Sequence, residues 1–147
     1  MPRAPAISIH PSRGHARRWL ILAGITVTVT ALAGAAWYRS NDERINREAA
    51  LATGGDARRA IPIMLANGCA GCHTISGAPG AEGLVGPSLD GKLATRSYIG
   101  GSLPNSTANL VRWLRFSRDV NPHTAMPSTM ISEQDARDVA AYLYALH

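Results

Sequence analysis

Little in this 147-residue chain can fill a conventional core: phenylalanine occurs once, and aromatics make up 5% of the sequence. There are two cysteines, Cys69 and Cys72, and the loop between them is too short to serve as a disulfide framework. No stretch alternates apolar and polar residues in the manner of a strand. A small domain so short of aromatic bulk needs a staple, and with disulfides excluded a metal or a large prosthetic group remains. Acidic side chains are absent around the first arginines, Arg3, Arg13, Arg17 and Arg18. From Arg39 onward there are 11 basic and 10 acidic residues, so the formal charge of +5 belongs to the N-terminal flank. The nearly neutral remainder excludes a nucleic-acid footprint.

What the N-terminal flank does contain is one long apolar run. Residues 19–38, "WLILAGITVTVTALAGAAWY", carry no charge. As a helix they span roughly 30 Å, the hydrocarbon thickness of a bilayer. Trp19 stands at one end and Trp37 with Tyr38 at the other, where interfacial aromatics belong. The preceding arginines predict that residues 1–18 are cytoplasmic and that the chain after Arg39 lies across the inner membrane, in the periplasm. Small-residue sites at 31–33 and 33–35 allow a second reading, a cleaved signal peptide. Thr26, Thr28 and Thr30 are compatible with a span, since their hydroxyls can bond back to helix carbonyls. Residues 39–54 read as a helix extension or a linker, and residues 55–147 as the main domain.

In that domain Asp56 is positioned to cap a helix after Gly54-Gly55. Ile61, Met64, Leu65 and Gly68 follow at i, i+3, i+4, i+7, one apolar face. Pro62 requires that helix to kink or to begin at Ile61. Residues 76–91 are rich in glycine and proline and predict turns. A helix over 107–117 is capped by Ser106, with Leu110, Trp113 and Leu114 on one face. The last helix, 133–146, opens on a capping box of Ser132 and Asp135 and buries Val139, Tyr142, Leu143 and Leu146. The whole reads as all-α, wound with long ordered loops.

The two cysteines sit in "GCAGCHTI", residues 68–75, with His73 directly after the second. Zinc wants four ligands, and no second Cys/His pair follows at finger spacing. A redox dithiol of the thioredoxin kind wants a βαβ setting, and no strand pattern exists. C-x-x-C-H remains, the signature of c-type haem attachment, in which both thiols add to porphyrin vinyl groups and the histidine meets the iron. A low-spin iron needs a sixth ligand. Met126, in the proline-bounded "TAMPS", is the leading candidate, and its soft thioether raises the reduction potential. His123, Met130 or an open site are the alternatives, while Met64 reads as helix core.

"GCAGCHTI", then "VGPSLDG", then "AMPSTMISEQDARDVAAYLYAL" together resemble a class I c-type cytochrome over residues 55–146. The stretch "YIGGSLPNSTANLVRWLRF" is similar to haem domains associated with subunit II of haem-copper oxidases. The resemblance implies the cytochrome c fold, three to four helices and long loops around one covalent haem c, behind one N-terminal transmembrane helix. It implies that the Pro87 carbonyl accepts a hydrogen bond from His73, and that Gly68 lets Tyr142 approach where the first and last helices cross. It makes Arg96, Tyr98 and Trp113 candidates for the haem propionates or pocket wall. It implies single-electron transfer with redox protein partners, from a quinol-oxidising complex to a terminal oxidase, and no small-molecule substrate. Ala70, Gly71, Ala78, Pro79 and Pro127 are the expected rim for docking. A fixed subunit of an oxidase or dehydrogenase complex, and a haem sensor or peroxidase-like enzyme with an open sixth site, are the competing functions.

Overall fold

A computed structural model describes residues 13–91 and 93–146. The first residues of the basic N-terminal segment, 1–12, therefore lie outside the described residues, as does His147. Four helices dominate: α1 (Arg13–Thr53), α2 (Ala60–Ala66), α3 (Thr107–Val120) and α4 (Glu133–Ala145). Short 3-10 turns occupy Ala57–Arg59, Cys69–Gly71 and Leu93–Thr95. A two-residue hairpin pairs β1 (Tyr98–Ile99) with β2 (Leu103–Pro104), in the register Tyr98 to Pro104 and Ile99 to Leu103. That hairpin is too short to show in the sequence pattern, because alternation over two residues carries no signal.

Residues 1–41 and 42–147 form two units. In the first, the apolar residues of α1 stand exposed, Trp19, Ile25, Val27, Leu32 and Trp37 among them. The helix is long and apolar enough to cross a membrane. The threonine hydroxyls bond back along it: Thr26 to Leu22 O at 2.9 Å, Thr28 to Gly24 O at 2.9 Å, Thr30 to Thr26 O at 3.0 Å.

The second unit includes the end of α1, so the stretch before Gly54 is helix and not linker. Ala49 and Thr53 are buried, and Thr107 Oγ1 donates to Ala52 O at 2.9 Å. Gly54, at φ +68°, turns the chain out of the helix. Arg137 Nη1 then donates to Thr53 O at 2.9 Å and Gln134 Nε2 to Gly54 O at 3.2 Å, so α4 satisfies the carbonyls where α1 ends. Gly55 lies directly on the α4 backbone: a Cβ there would sit 2.1 Å from Arg137 O and 2.6 Å from Asp138 N. Asp138 is fully buried and binds the same corner, accepting from Asp56 N at 2.8 Å and facing Arg59 Nε at 3.3 Å.

This corrects the expectation for Gly68. No side chain or backbone lies within 4 Å of a Cβ built there; its φ of +74° is what the position demands, a reversal that ends α2. Tyr142 instead donates its hydroxyl to Ser76 O, beside Gly77. Asp56 caps the 3-10 turn Ala57–Arg59, accepting from Arg58 N, and α2 starts at Ala60. Pro62 therefore falls in the first turn of α2, where no backbone N–H is required, and the helix does not kink. Ala60 and Met64 carry the buried face, while Leu65 is exposed, because a helix of seven residues presents only one stripe to α4.

Ser106 caps α3 and Ser132 caps α4, each accepting from the backbone N–H three residues on. In α4 the buried residues are Ala136, Asp138, Val139, Ala140, Ala141 and Leu143, with Tyr142 and Leu146 only half-buried. Among the described residues, seven of the fifteen buried hydrophobic ones are alanines. Helices can approach closely on such faces, but the bulk of a core must come from elsewhere.

Candidate functional site

The missing bulk corresponds to a cavity of about 590 Å³, within the ~300–1,000 Å³ range of ligand and cofactor sites. Cys69, Cys72, His73, Pro87, Arg96, Tyr98, Trp113 and Met126 all line it. Leu110 and Leu114 of α3 and Leu143 of α4 complete an apolar wall. Arg96 is the one charged residue among the described lining residues.

The cysteines come from the 3-10 turn that follows Gly68. Cys72 N and His73 N both donate to Cys69 O, at 3.2 and 2.9 Å, which closes the turn and puts both thiols on the cavity. Both thiols are free and half-buried, and burial pushes the Cys69 thiol up from its ordinary value. His73 Nδ1 lies 2.7 Å from Pro87 O. A carbonyl only accepts, so Nδ1 is the donor, and in the neutral ring this leaves the lone pair on Nε2.

The loop is brought to His73 by backbone pairing. Gly86 N donates to Cys72 O at 2.7 Å and Leu89 N to Thr74 O at 2.8 Å. Gly83 and Gly86 permit this approach: Cβ atoms there would meet the Cys72 backbone at 2.5 Å and the His73 ring at 2.3 Å. Gly100, at φ +56°, is likewise pressed under the Trp113 ring, where a Cβ would lie 2.6 Å from ring carbons. Asn105 holds the segment bearing Arg96, donating to Leu93 O at 2.7 Å and Arg96 O at 2.8 Å while accepting from Tyr144 at 2.7 Å. Sequence reading missed these glycines and Asn105, since contact across loops leaves no periodicity.

Met126 is half-buried on the cavity and its carbonyl accepts from Ser117 Oγ at 2.9 Å. The two alternatives for its place are not brought there. His123 is exposed and absent from the lining, and Met130 is 68% exposed with its side chain away from the core. Among the docking-rim candidates, Pro127 lines the cavity and Gly71 and Pro79 are exposed, whereas Ala78 is buried in the core. Leu84 and Val85, at 89% and 74% exposure, are the apolar residues that do stand out, and Val85 lines the cavity.

The donor set suits haem. Two free thiols on one turn match two vinyl groups, an imidazole and a thioether share the same cavity, and the walls are apolar. The family model of cytochrome c matches residues 57–147. No curated protein matches the chain, and neither does any solved structure. From the match over most of its length and the cavity that holds C-x-x-C-H, the chain belongs to the cytochrome c family, whose members carry covalently bound haem c and transfer electrons with redox proteins.

Proposed function

We propose that this protein is a membrane-anchored, single-haem cytochrome that passes single electrons on the periplasmic side, from a quinol-oxidising complex to a terminal oxidase. The observation that carries the reading is the convergence of His73, held by Pro87 O at 2.7 Å, and Met126 on one apolar cavity. Bound there, haem supplies a one-electron iron couple. Cys69 and Cys72 would tether the ring, and His73 Nε2 and the Met126 sulfur would take the two remaining places on its iron. With both taken, no place is left for a substrate, which sets the reading apart from a sensor or peroxidase. Arg96, the charged residue of the described lining, would hold a propionate, and Tyr98 and Trp113 would wall the ring. Partner docking relies on apolar contact at Leu84, Val85 and Pro127, since the charge after Arg39 nearly balances.

One observation favours the fixed-subunit variant of this reading. The end of α1 is packed into the haem domain through Ala49, Thr53 and the Thr107 to Ala52 hydrogen bond, where a mobile carrier would use a loose tether. Extraction in mild detergent separates the two: a stoichiometric complex identifies the subunit, and a free monomer the carrier. An intact mass of the extracted protein tests the remainder. One haem above the chain mass supports a single covalent haem, and the same number reports whether the apolar helix is retained. Met126→Ala is expected to convert the low-spin spectrum to one that binds added imidazole; an unchanged spectrum overturns axial ligation by Met126.

A further inference from the structure

We propose that the break in α3 at Phe116 is a positioning device for Met126, with Ser117 as the positioning residue; this rests on the reading of Met126 as axial ligand. Phe116 has φ −134° and ψ 46° inside an otherwise helical Thr107–Val120, with neither proline nor glycine at the site. A break of this kind strips helix carbonyls and amides of their partners. Here the Met126 loop takes them up. Thr129 Oγ1 donates to Leu114 O at 2.7 Å, Met130 N to Arg115 O at 3.1 Å, and Arg118 N to Ser128 Oγ at 3.2 Å. Arg115 Nε adds a bond to Ile131 O at 2.9 Å. Ser117, with no exposed surface, donates to Met126 O itself at 2.9 Å. One broken turn of α3 thus holds a loop that has no regular structure of its own.

The chemistry explains why such holding matters. A thioether is a neutral, soft ligand that binds ferric iron weakly, so an added imidazole competes with it. The equilibrium between bound and displaced Met126 depends on how firmly the loop is held. Ser117 sets that equilibrium without touching the iron.

The test uses the holoprotein. Ser117→Ala is expected to tighten binding of added imidazole to the ferric form roughly three- to tenfold, the equilibrium equivalent of one hydrogen bond. It should also lower the pH at which the near-infrared sulfur-to-iron band disappears. Asp56→Ala, which removes the cap of the Ala57–Arg59 turn away from the loop, serves as the control for general destabilisation. Equal imidazole affinities in wild type and Ser117→Ala, or the same change in Asp56→Ala, overturn the proposal. If Ser117→Ala yields no holoprotein, Thr129→Val and Ser128→Ala are read the same way, and wild-type affinity in both overturns it. Met126→Ala separates the two layers: if it leaves the band intact, the ligand assignment fails, whereas a lost band with an unresponsive Ser117 variant refutes positioning alone.

Discussion

Gly86 lies against the ring of His73 so closely that a Cβ on it would fall 2.3 Å from Cε1, and this contact brings the next carbonyl, Pro87 O, to 2.7 Å from Nδ1. The hydrogen bond fixes the tautomer of the imidazole and raises its basicity. Gly86→Ala is therefore expected to push loop and ring apart at a cost of about 1–3 kcal/mol. The weakened bond makes His73 a poorer donor to ferric iron, so the reduction potential rises. Pro87→Ala keeps the accepting carbonyl and should move the potential less. A redox titration of both variants checks the order.

Gly55 and Gly68 are both glycines for different reasons, and substitution separates them. At Gly55 a Cβ would collide with the α4 backbone at 2.1 Å, and neither partner is a flexible side chain. Gly55→Ala should cost at least the ~1–3 kcal/mol of overpacking, lowering Tm by about 4–8 °C per kcal/mol in a domain of this size. Gly68→Ala meets no atom of the described residues within 4 Å and adds the left-handed backbone penalty of about 1 kcal/mol. Thermal melts of the two variants should rank in that order.

The corner between α4 and the turn before α2 depends on a buried charge. Asp138 is fully buried and faces Arg59 Nε at 3.3 Å, and that oxygen has no hydrogen bond of good geometry. Arg59→Ala leaves the carboxylate without its cation; since Arg59 is 59% exposed and water can enter, the expected loss is about 1–3 kcal/mol, below the range for a fully buried pair. Arg59→Ala combined with Asp138→Asn should recover part of it. Denaturant titration of the single and double variants provides the measurement.

Asp56 predicts a dependence on pH. The Arg58 side chain, bonded at 2.9 and 2.8 Å, and then the Arg58 backbone N–H hold its carboxyl down at about 2. A carboxyl whose folded value is depressed stabilises the fold above its unfolded value, ~3.9, and that contribution is lost as pH falls through the folded value. Asp56→Asn keeps a capping oxygen but not the charge. The stability gap between wild type and this variant should be full above pH ~4 and shrink as the pH falls toward 2. A gap constant over that interval contradicts the assignment.

Met130 holds φ +56° while its side chain is 68% exposed, so it accepts left-handed strain without packing in return. Met130→Gly should leave stability unchanged or raise it by up to about 1 kcal/mol. Met130→Val should lower it by about 1–2 kcal/mol. Neither should alter the axial ligation spectrum, which also distinguishes Met130 from Met126.

The local chemistry was legible in the sequence. Spacing alone pointed to Cys69, Cys72 and His73, and the structure gathers them on one turn along the cavity. Capping residues announced α3 and α4, because Ser106 and Ser132 satisfy amides only three residues away. Uncharged length marked the apolar helix, and the scarcity of aromatics foretold a core that a prosthetic group must complete. Other features depend on residues far apart in the chain. The Gly55 contact with Arg137 O, the Gly86 contact with His73, the bracing by Asn105 and the break at Phe116 each join segments that share no local pattern. Gly68 shows the limit: its place in a helical repeat pointed to a crossing, while the backbone uses it for a turn. Sequence by itself put Cys69, Cys72 and His73 on one turn, since that spacing is local. Only the tertiary structure decided how firmly His73 and Met126 are held, since that is set by backbone groups left unpaired in one element and satisfied by another.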